Sequence, residues 1–313
     1  MSGDALSPRR PLRLRVSFDR LMAGTSGNLV RAVAGNKKAL TGLTLLLIFS
    51  FMALFPGLLA HDNPNAEIYP RSAAPSASHL LGTTAYGQDI FSQWVFGTRE
   101  SLFLAIVVGG LATVLSVLIG VTAAYRGGVT DGVLSLFTDV FLVIPAFPLV
   151  VIIAAYSKNG GNAILIAVLV VTGWSYGARQ LRSQALSLRN RDFLAAARVR
   201  GERQWRIIIF EILPTMTSLI VANFLGAAVY AVLAAAGLQF IGLGNPDGMS
   251  WGTMLFWAEN NEALQAGSPL WAIMPGIAIA LLGGAFSLLN YAFDEIGNPA
   301  LRPVRKPVRR ARG

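Results

Sequence analysis

The sequence predicts an all-α integral membrane protein with six transmembrane helices, and three observations carry that expectation. Hydrophobic residues make up 54% of the 313 and charged residues only 13%, with a mean hydropathy of +0.55, whereas soluble domains are about a quarter charged. Apolar runs long enough to cross about 30 Å of hydrocarbon fall at 39–60, 102–125, 133–156, 163–178, 216–237 and 270–293. The basic residues are segregated, with 23 of the 26 Lys and Arg on one side of the alternating topology and 3 on the other.

The segment 1–38 is basic and leads into the first span at 39–60. A cleaved signal peptide is the competing reading of this region. The apolar run is of spanning length and no small-x-small site follows at Leu59-Ala60-His61, so a retained span is expected. The segment 61–101 opens with a Pro/Ala/Ser-rich stretch, Asn63 to Ser78, read as irregular and exposed. After Asp89, the residues Ile90, Phe91, Trp94 and Val95 recur at helical spacing. That pattern predicts an amphipathic helix on the membrane surface, with Trp94 at the interface.

From the second span onward the apolar segments 102–293 form the core of the protein. Asp139 is the one acid well inside a predicted span. An ionised carboxylate is costly there, so it is expected to face the bundle or a wet cavity, with Arg182 a reachable partner. A structural hydrogen bond is the alternative to a substrate contact at this position. Pro145, Pro148 and Pro275 read as kinks, and Asn223 and Asn290 as interhelical packing contacts. The fourth run is the shortest and is expected to continue helically into Arg179 and Arg182.

Between the fourth and fifth spans lies a polar segment, 180–214, containing Asp192-Phe193-Leu194-Ala195-Ala196-Ala197-Arg198-Val199-Arg200-Gly201 and then Ile212-Leu213-Pro214. These residues predict a short helix of their own. Asp192 is expected to cap it, three alanines favour the helical state, and Gly201 can take the left-handed turn that ends it. From Asp192 to Arg200 such a helix is about 13 Å long at roughly 1.5 Å per residue, too short to span.

Counting Lys and Arg gives eight before Ala39, Arg126 after the second span, eight from Arg179 to Arg206 and six from Arg302, against Arg71, Arg99 and Lys158. The positive-inside rule then puts both termini and the 180–214 loop in the cytoplasm. Topology therefore accounts for the net charge of +10, and no nucleic-acid partner is expected. The basic tail, 294–313, is suited to attracting anionic lipid.

The chain has no phosphate-binding loop, dinucleotide fingerprint or nucleophile elbow. With no cysteine there is no disulfide or thiolate chemistry, and two histidines leave little for a metal site. No catalytic residue, cofactor or metal is expected on this chain, so its energy source lies elsewhere. An ion-gradient-driven secondary transporter is the alternative from a different class. It would be expected to show an inverted repeat and buried ionisable residues at midplane, and Asp139 is nearly alone in the spans.

Four blocks carry a family resemblance. They are Leu81-Gly82-Thr83 with Gly87-Gln88-Asp89 and Gly97-Thr98-Arg99-Glu100-Ser101; Tyr125-Arg126-Gly127-Gly128 with Asp131, then Asp139 to Pro145; the alanine loop; and Leu238 to Pro246 with Ser250-Trp251-Gly252. Together, from about His79 to Gly252, they resemble the C-type membrane subunit of binding-protein-dependent ATP-binding-cassette importers of the dipeptide/oligopeptide/nickel permease group. The resemblance implies a type I importer (MetI-like) transmembrane domain, in the bacterial inner membrane, working by alternating access.

It implies as partners a second homologous permease subunit, two ATPase subunits or one fused ATPase that use the ATP, an extracytoplasmic solute-binding protein and membrane lipid. The cytoplasmic loop of such subunits forms a coupling helix with the signature Glu-Ala-Ala, three residues, Gly, and later Leu-Pro. Ala196, Ala197, Gly201, Leu213 and Pro214 match, while Ala195 stands where the glutamate is usual. Peptides are the implied cargo. Oligosaccharides are the alternative, because Met254 to Glu262 looks like oligosaccharide-importing branches of the group.

Overall fold

The computed structural model describes residues 36–156, 161–245 and 247–297. The basic segment before Asn36, Lys158, Pro246 and the basic tail beyond Gly297 lie outside the described residues. Every regular element among the described residues is helical: α1 (Lys37–Leu54), α2 (Pro56–Leu59), α3 (Ile90–Arg126), α4 (Gly128–Val143), α5 (Ala146–Tyr156), α6 (Gly161–Leu188), α7 (Asp192–Val199), α8 (Gln204–Ile207), a π-helical turn (Ile208–Ile212), α9 (Leu213–Thr215), α10 (Thr217–Phe240), α11 (Trp251–Asn260) and α12 (Leu270–Gly297). Helices α1, α3, α6, α10 and α12 are each long and apolar enough to cross a membrane, and the bent pair α4–α5 makes a sixth crossing if it counts as one span.

The local chemistry sets most boundaries. Asn36 starts α1 by accepting from the Lys38 amide at 3.0 Å, and the helix stops at Phe55 because a residue ahead of proline is pushed out of the helical region. The first apolar run is therefore two helices. The same rule breaks the third run: Ile144, ahead of Pro145, is extended at φ −65° and ψ 125°, and the chain bends by 83° between α4 and α5. The expected kink is thus a full interruption. Pro148 sits in the first turn of α5, where its missing amide has no intrahelical partner to lose. Pro275 lies inside α12.

Helix α3 starts at Asp89, whose carboxylate accepts from the Ser92 amide at 2.7 Å. It runs 37 residues to Arg126, about 55 Å. The amphipathic helix expected after Asp89 is not a separate surface element; it is the first turns of α3. Its apolar face is covered by partners far away in sequence. Ile90 and Val95 are fully buried in a cluster with Trp251 and Trp271. Trp94 donates to the Met274 carbonyl at 3.2 Å and receives the Trp251 indole N–H on its own carbonyl at 3.0 Å, so it packs within the bundle.

The bundle is built on small residues that bring backbones together. A β-carbon at Gly120 of α3 would overlap the Ala178 carbonyl of α6, and one at Gly109 would sit 3.1 Å from the Ala228 amide of α10. Ser116 of α3 donates to the Trp174 carbonyl of α6 at 2.6 Å. Asn290 of α12 donates to the Ala222 carbonyl of α10 at 3.0 Å, and Asn223 donates to Gln180 at 2.9 Å. Both asparagines therefore bond across helices. The fourth apolar run does continue through Arg179 and Arg182, to Leu188.

The acidic residues of α4 correct one expectation. Arg182 pairs with Asp131, two nitrogens on two carboxylate oxygens at 2.6 and 2.7 Å. Asp139 instead lies 3.5 Å from Arg179, with its side chain 52% exposed. Asp131 is the fourth residue of α4 and faces Arg182 on α6, so the fork of the guanidinium meets this carboxylate at two points. Replacing Arg182 with lysine keeps the charge but removes the two-point geometry. The expected cost is about 1 kcal/mol, read as a lowered melting temperature in detergent.

Candidate functional site

The two ends of α3 carry two different assemblies. At its Ile90 end, the irregular segment 60–89 folds over α11 and the start of α12, tied by Ser268 donating to the Thr83 carbonyl at 3.0 Å. At its Arg126 end sits the short helix α7.

Helix α7 is held by its own small core. Leu194 and Ala197, three residues apart and so on one face, are fully buried with Val121, Ala124 and Tyr125 of α3, Leu181 and Ala185 of α6, and Ile207, Ile212 and Met216 beyond. Arg198 donates to the Arg189 carbonyl at 2.9 Å and lies over the Tyr125 ring, 5.5 Å from its centroid. The cap falls one residue earlier than expected: Arg191 is the N-cap, without a side-chain bond, and Asp192 is the first helical residue. There its carboxylate still meets the positive end of the helix.

The C-terminus closes as the glycine requires. Gly201 takes φ +75°, its amide bonds the Arg198 carbonyl at 2.9 Å and the Glu202 amide bonds the Ala197 carbonyl at 3.3 Å. These are the two reversed bonds of a Schellman ending. A β-carbon at Gly201 would meet no atom within 4 Å, so the constraint is conformational. Gly201→Val is expected to cost about 1–2 kcal/mol from the left-handed geometry alone. Faster amide exchange across 194–200, with the spans unchanged, is the readout.

The three alanines do not share a role. Ala197 is turned inward, so a charge placed there would test the core and not a partner. Ala195 and Ala196 face outward with Val199, which is 89% exposed, while Phe193, 37% exposed, lies on the flank of the helix. The outward face therefore combines small residues with one larger apolar one. Leu213 packs half-buried against the same core, and Pro214 is exposed in α9, directly after the π-helical turn. Asp139 belongs to neither group.

Sequence reasoning missed two parts of this end. Leu194 is the anchor of α7, a role signalled by its three-residue spacing from Ala197. Beyond Gly201, a groove of about 600 Å³ is lined by Arg200, Glu202, Arg203, Trp205, Arg206 and Phe210, and Trp205 is 55% exposed. A larger cavity of about 670 Å³ lies beside the α4–α5 break, with Thr172, Ser175, Tyr176, Gln180, Asn223 and Asn290 among its polar lining.

Among the described residues, Asp62, His79 and Asp89 have donor atoms within 4.8 Å of one another and ligand types that suit an ion. All three are also engaged locally. His79 Nδ1 lies 3.0 Å from Asp89, and the Asp62 carboxylate beside Tyr69 holds that phenol above its usual pKa. They tie the loop to the start of α3.

The described residues thus form a multi-pass helical bundle with a short helix seated on its own core at one end and one face of that helix exposed. Residues 116–302 match the family described as binding-protein-dependent transport system inner membrane component, and the chain belongs to that family. It has the family's MetI-like permease fold. It is similar to the oligopeptide transport system permease protein OppC of Mycobacterium tuberculosis, 30% identical over 283 residues covering 90% of this chain and 96% of that protein. It is also similar to the dipeptide transport system permease protein DppC of Bacillus subtilis, 30% identical over 87% of this chain and 85% of that protein. The glutathione transport system permease protein GsiD of Pectobacterium atrosepticum is 31% identical over 83% of this chain and 86% of that protein. The protein is thus a multi-pass inner-membrane component of an ATP-binding-cassette transport system that works with ATPase and binding-protein partners.

Proposed function

We propose that this subunit forms half of the translocation pathway of a peptide importer and receives the power stroke through α7. The observation that carries the reading is the open face of Ala195, Ala196 and Val199 on a helix fixed from beneath by Leu194 and Ala197. Small side chains let a partner surface approach closely, and the rigid core passes its movement to α3, α6 and α10. The charge asymmetry of 23 against 3 supports a cytoplasmic position for this face and both termini, where an ATPase can reach it. The chain itself binds and hydrolyses no nucleotide.

The second wall of the pathway comes from a homologous permease subunit, and the cavity beside the α4–α5 break is this subunit's share of it. Asp139 and Arg179, 3.5 Å apart and both more than half exposed, form a structural ion pair and do not act on cargo. Ala195 in place of the family's glutamate removes a contact worth about 0–1 kcal/mol if exposed, so docking rests on shape. The names of the relatives over most of the chain favour peptide over oligosaccharide as cargo. The test is uptake into proteoliposomes holding the complete transporter and its binding protein. ATP-dependent accumulation of a short peptide supports the reading. Accumulation driven by a proton or sodium gradient without ATP contradicts it, and ATP-dependent uptake of an oligosaccharide alone contradicts the cargo.

A further inference from the structure

Beside the cavity of about 670 Å³ at the α4–α5 break, the backbone runs out of partners. In a helix the carbonyl of residue i receives the amide of residue i+4. For Phe141 and Ile144 that residue is a proline, Pro145 and Pro148, with no N–H to give. Neither carbonyl receives another amide among the described residues: the Ile144 amide turns back to Val140 and the Leu149 amide to Pro145, both at 3.2 Å. Ile144 lies at the middle of the apolar run 133–156. Broken backbone at that depth is tolerated where it faces protein or water and not lipid, and both residues line the cavity.

The opposite walls add side chains with capacity to spare. Ser175 of α6 is 4% exposed and makes no hydrogen bond among the described residues. The unpartnered side-chain atoms that are sealed from contact lie on Asn162, Gln239 and Trp271, so the Ser175 hydroxyl is open, and it opens on the cavity it lines. A polar group this buried and unsatisfied costs free energy unless something meets it. Asn223 and Asn290 have spent their amide nitrogens on Gln180 and on the Ala222 carbonyl, which leaves their oxygens as acceptors. No Lys or Arg lines the cavity, and Asp294 is its one carboxylate. The spare groups are therefore chiefly uncharged acceptors. Their complement is a row of uncharged N–H donors, which an extended peptide main chain presents.

We propose that this cavity is a main-chain subsite of the pathway, where N–H groups of a peptide in transit bond to the Phe141 and Ile144 carbonyls and to Ser175, with Asn290 as a further acceptor. These contacts read only what all peptides share, so the subunit favours peptide backbone without selecting side chains. The inference rests on the reading of this chain as a subunit of a peptide importer.

The test uses the complete transporter in nanodiscs without binding protein or nucleotide, so that neither contributes selectivity. Equilibrium dialysis measures binding of radiolabelled trialanine and of its analogue methylated on the second and third backbone nitrogens, which keeps both termini and removes both main-chain donors. Trialanine is expected to bind at least about tenfold more tightly than the analogue. Ser175→Ala is expected to weaken trialanine about fivefold and leave the analogue unchanged, a coupling between side chain and peptide nitrogen that a general loosening of the bundle does not produce. Equal binding of the two peptides, no binding, or an undiminished preference in Ser175→Ala overturns the subsite, whose polar groups are then met by water. In each of these cases, ATP-driven trialanine uptake by the system with its binding protein shows that only the subsite fails; absence of any peptide uptake overturns the cargo reading as well.

Discussion

Replacing Ala196 with tryptophan is expected to abolish ATP-driven uptake while the subunit itself stays as stable as the parent. Ala196 is exposed on α7, so the new side chain costs the fold little. Its effect falls on whatever approaches the open face. A partner surface shaped to small residues cannot accommodate an indole there without being lifted off Ala195 as well. A lost central contact in a well-packed interface is worth about 2 kcal/mol or more, a roughly 30-fold loss of association at 1.4 kcal/mol per tenfold. Uptake and stimulated ATP hydrolysis in proteoliposomes should both collapse, with an unchanged melting temperature. Ala197→Asp should show the reverse order, since Ala197 is buried beside Leu194 and an unpaired charge there destabilises the core before any partner is involved.

Gly120→Leu is expected to have the largest effect on the fold. Even a β-carbon at this position would overlap the Ala178 backbone carbonyl, and a backbone obstacle cannot rotate away as a side chain would. Helices α3 and α6 must separate, and with them the Ser116 to Trp174 bond at 2.6 Å. Overpacking of this kind costs about 3 kcal/mol, toward the upper end of the usual range. Gly110→Leu on the same helix is the control, because nothing lies within 4 Å of a β-carbon there. Size-exclusion profiles and melting curves in detergent should show loss of folded Gly120→Leu and near-parental Gly110→Leu.

Much of this architecture was legible in the amino-acid order because the membrane allows few solutions. A long apolar run must close its own backbone hydrogen bonds, so it reads as a helix. What stayed hidden depended on partners distant in sequence. The spacing of Ile90, Phe91, Trp94 and Val95 fits a surface helix and a buried helix start equally well, and only Trp251 and Trp271, far along the chain, decide between them. Pro145 announced a deviation, but the size of the bend depends on how α5 packs beyond it. Asp131 and Asp139 on α4 face Arg179 and Arg182 on α6, and the choice of pairs depends on the relative height of the two helices, which no spacing encodes. In the short helix, alanine content and Gly201 revealed the element and its end. The division of Ala195 and Ala196 from Ala197 came from the core beneath, whose other members lie on α3, α6 and the segment leading into α10.

The central claim is that the outward face of α7 is covered by the ATPase. The chain has no cysteine, so single cysteines introduced at Ala195, Ala196 and Val199 can be labelled with a membrane-impermeant maleimide with no background from this subunit. Labelling rates measured with and without the ATPase subunits test the claim directly. The account predicts fast labelling of all three in the permease alone and strong protection in the assembled transporter, with a cysteine at exposed Ser78, on the opposite end, unaffected. Unchanged labelling of Ala195 and Ala196 positions in an assembled, ATP-hydrolysing transporter would contradict it.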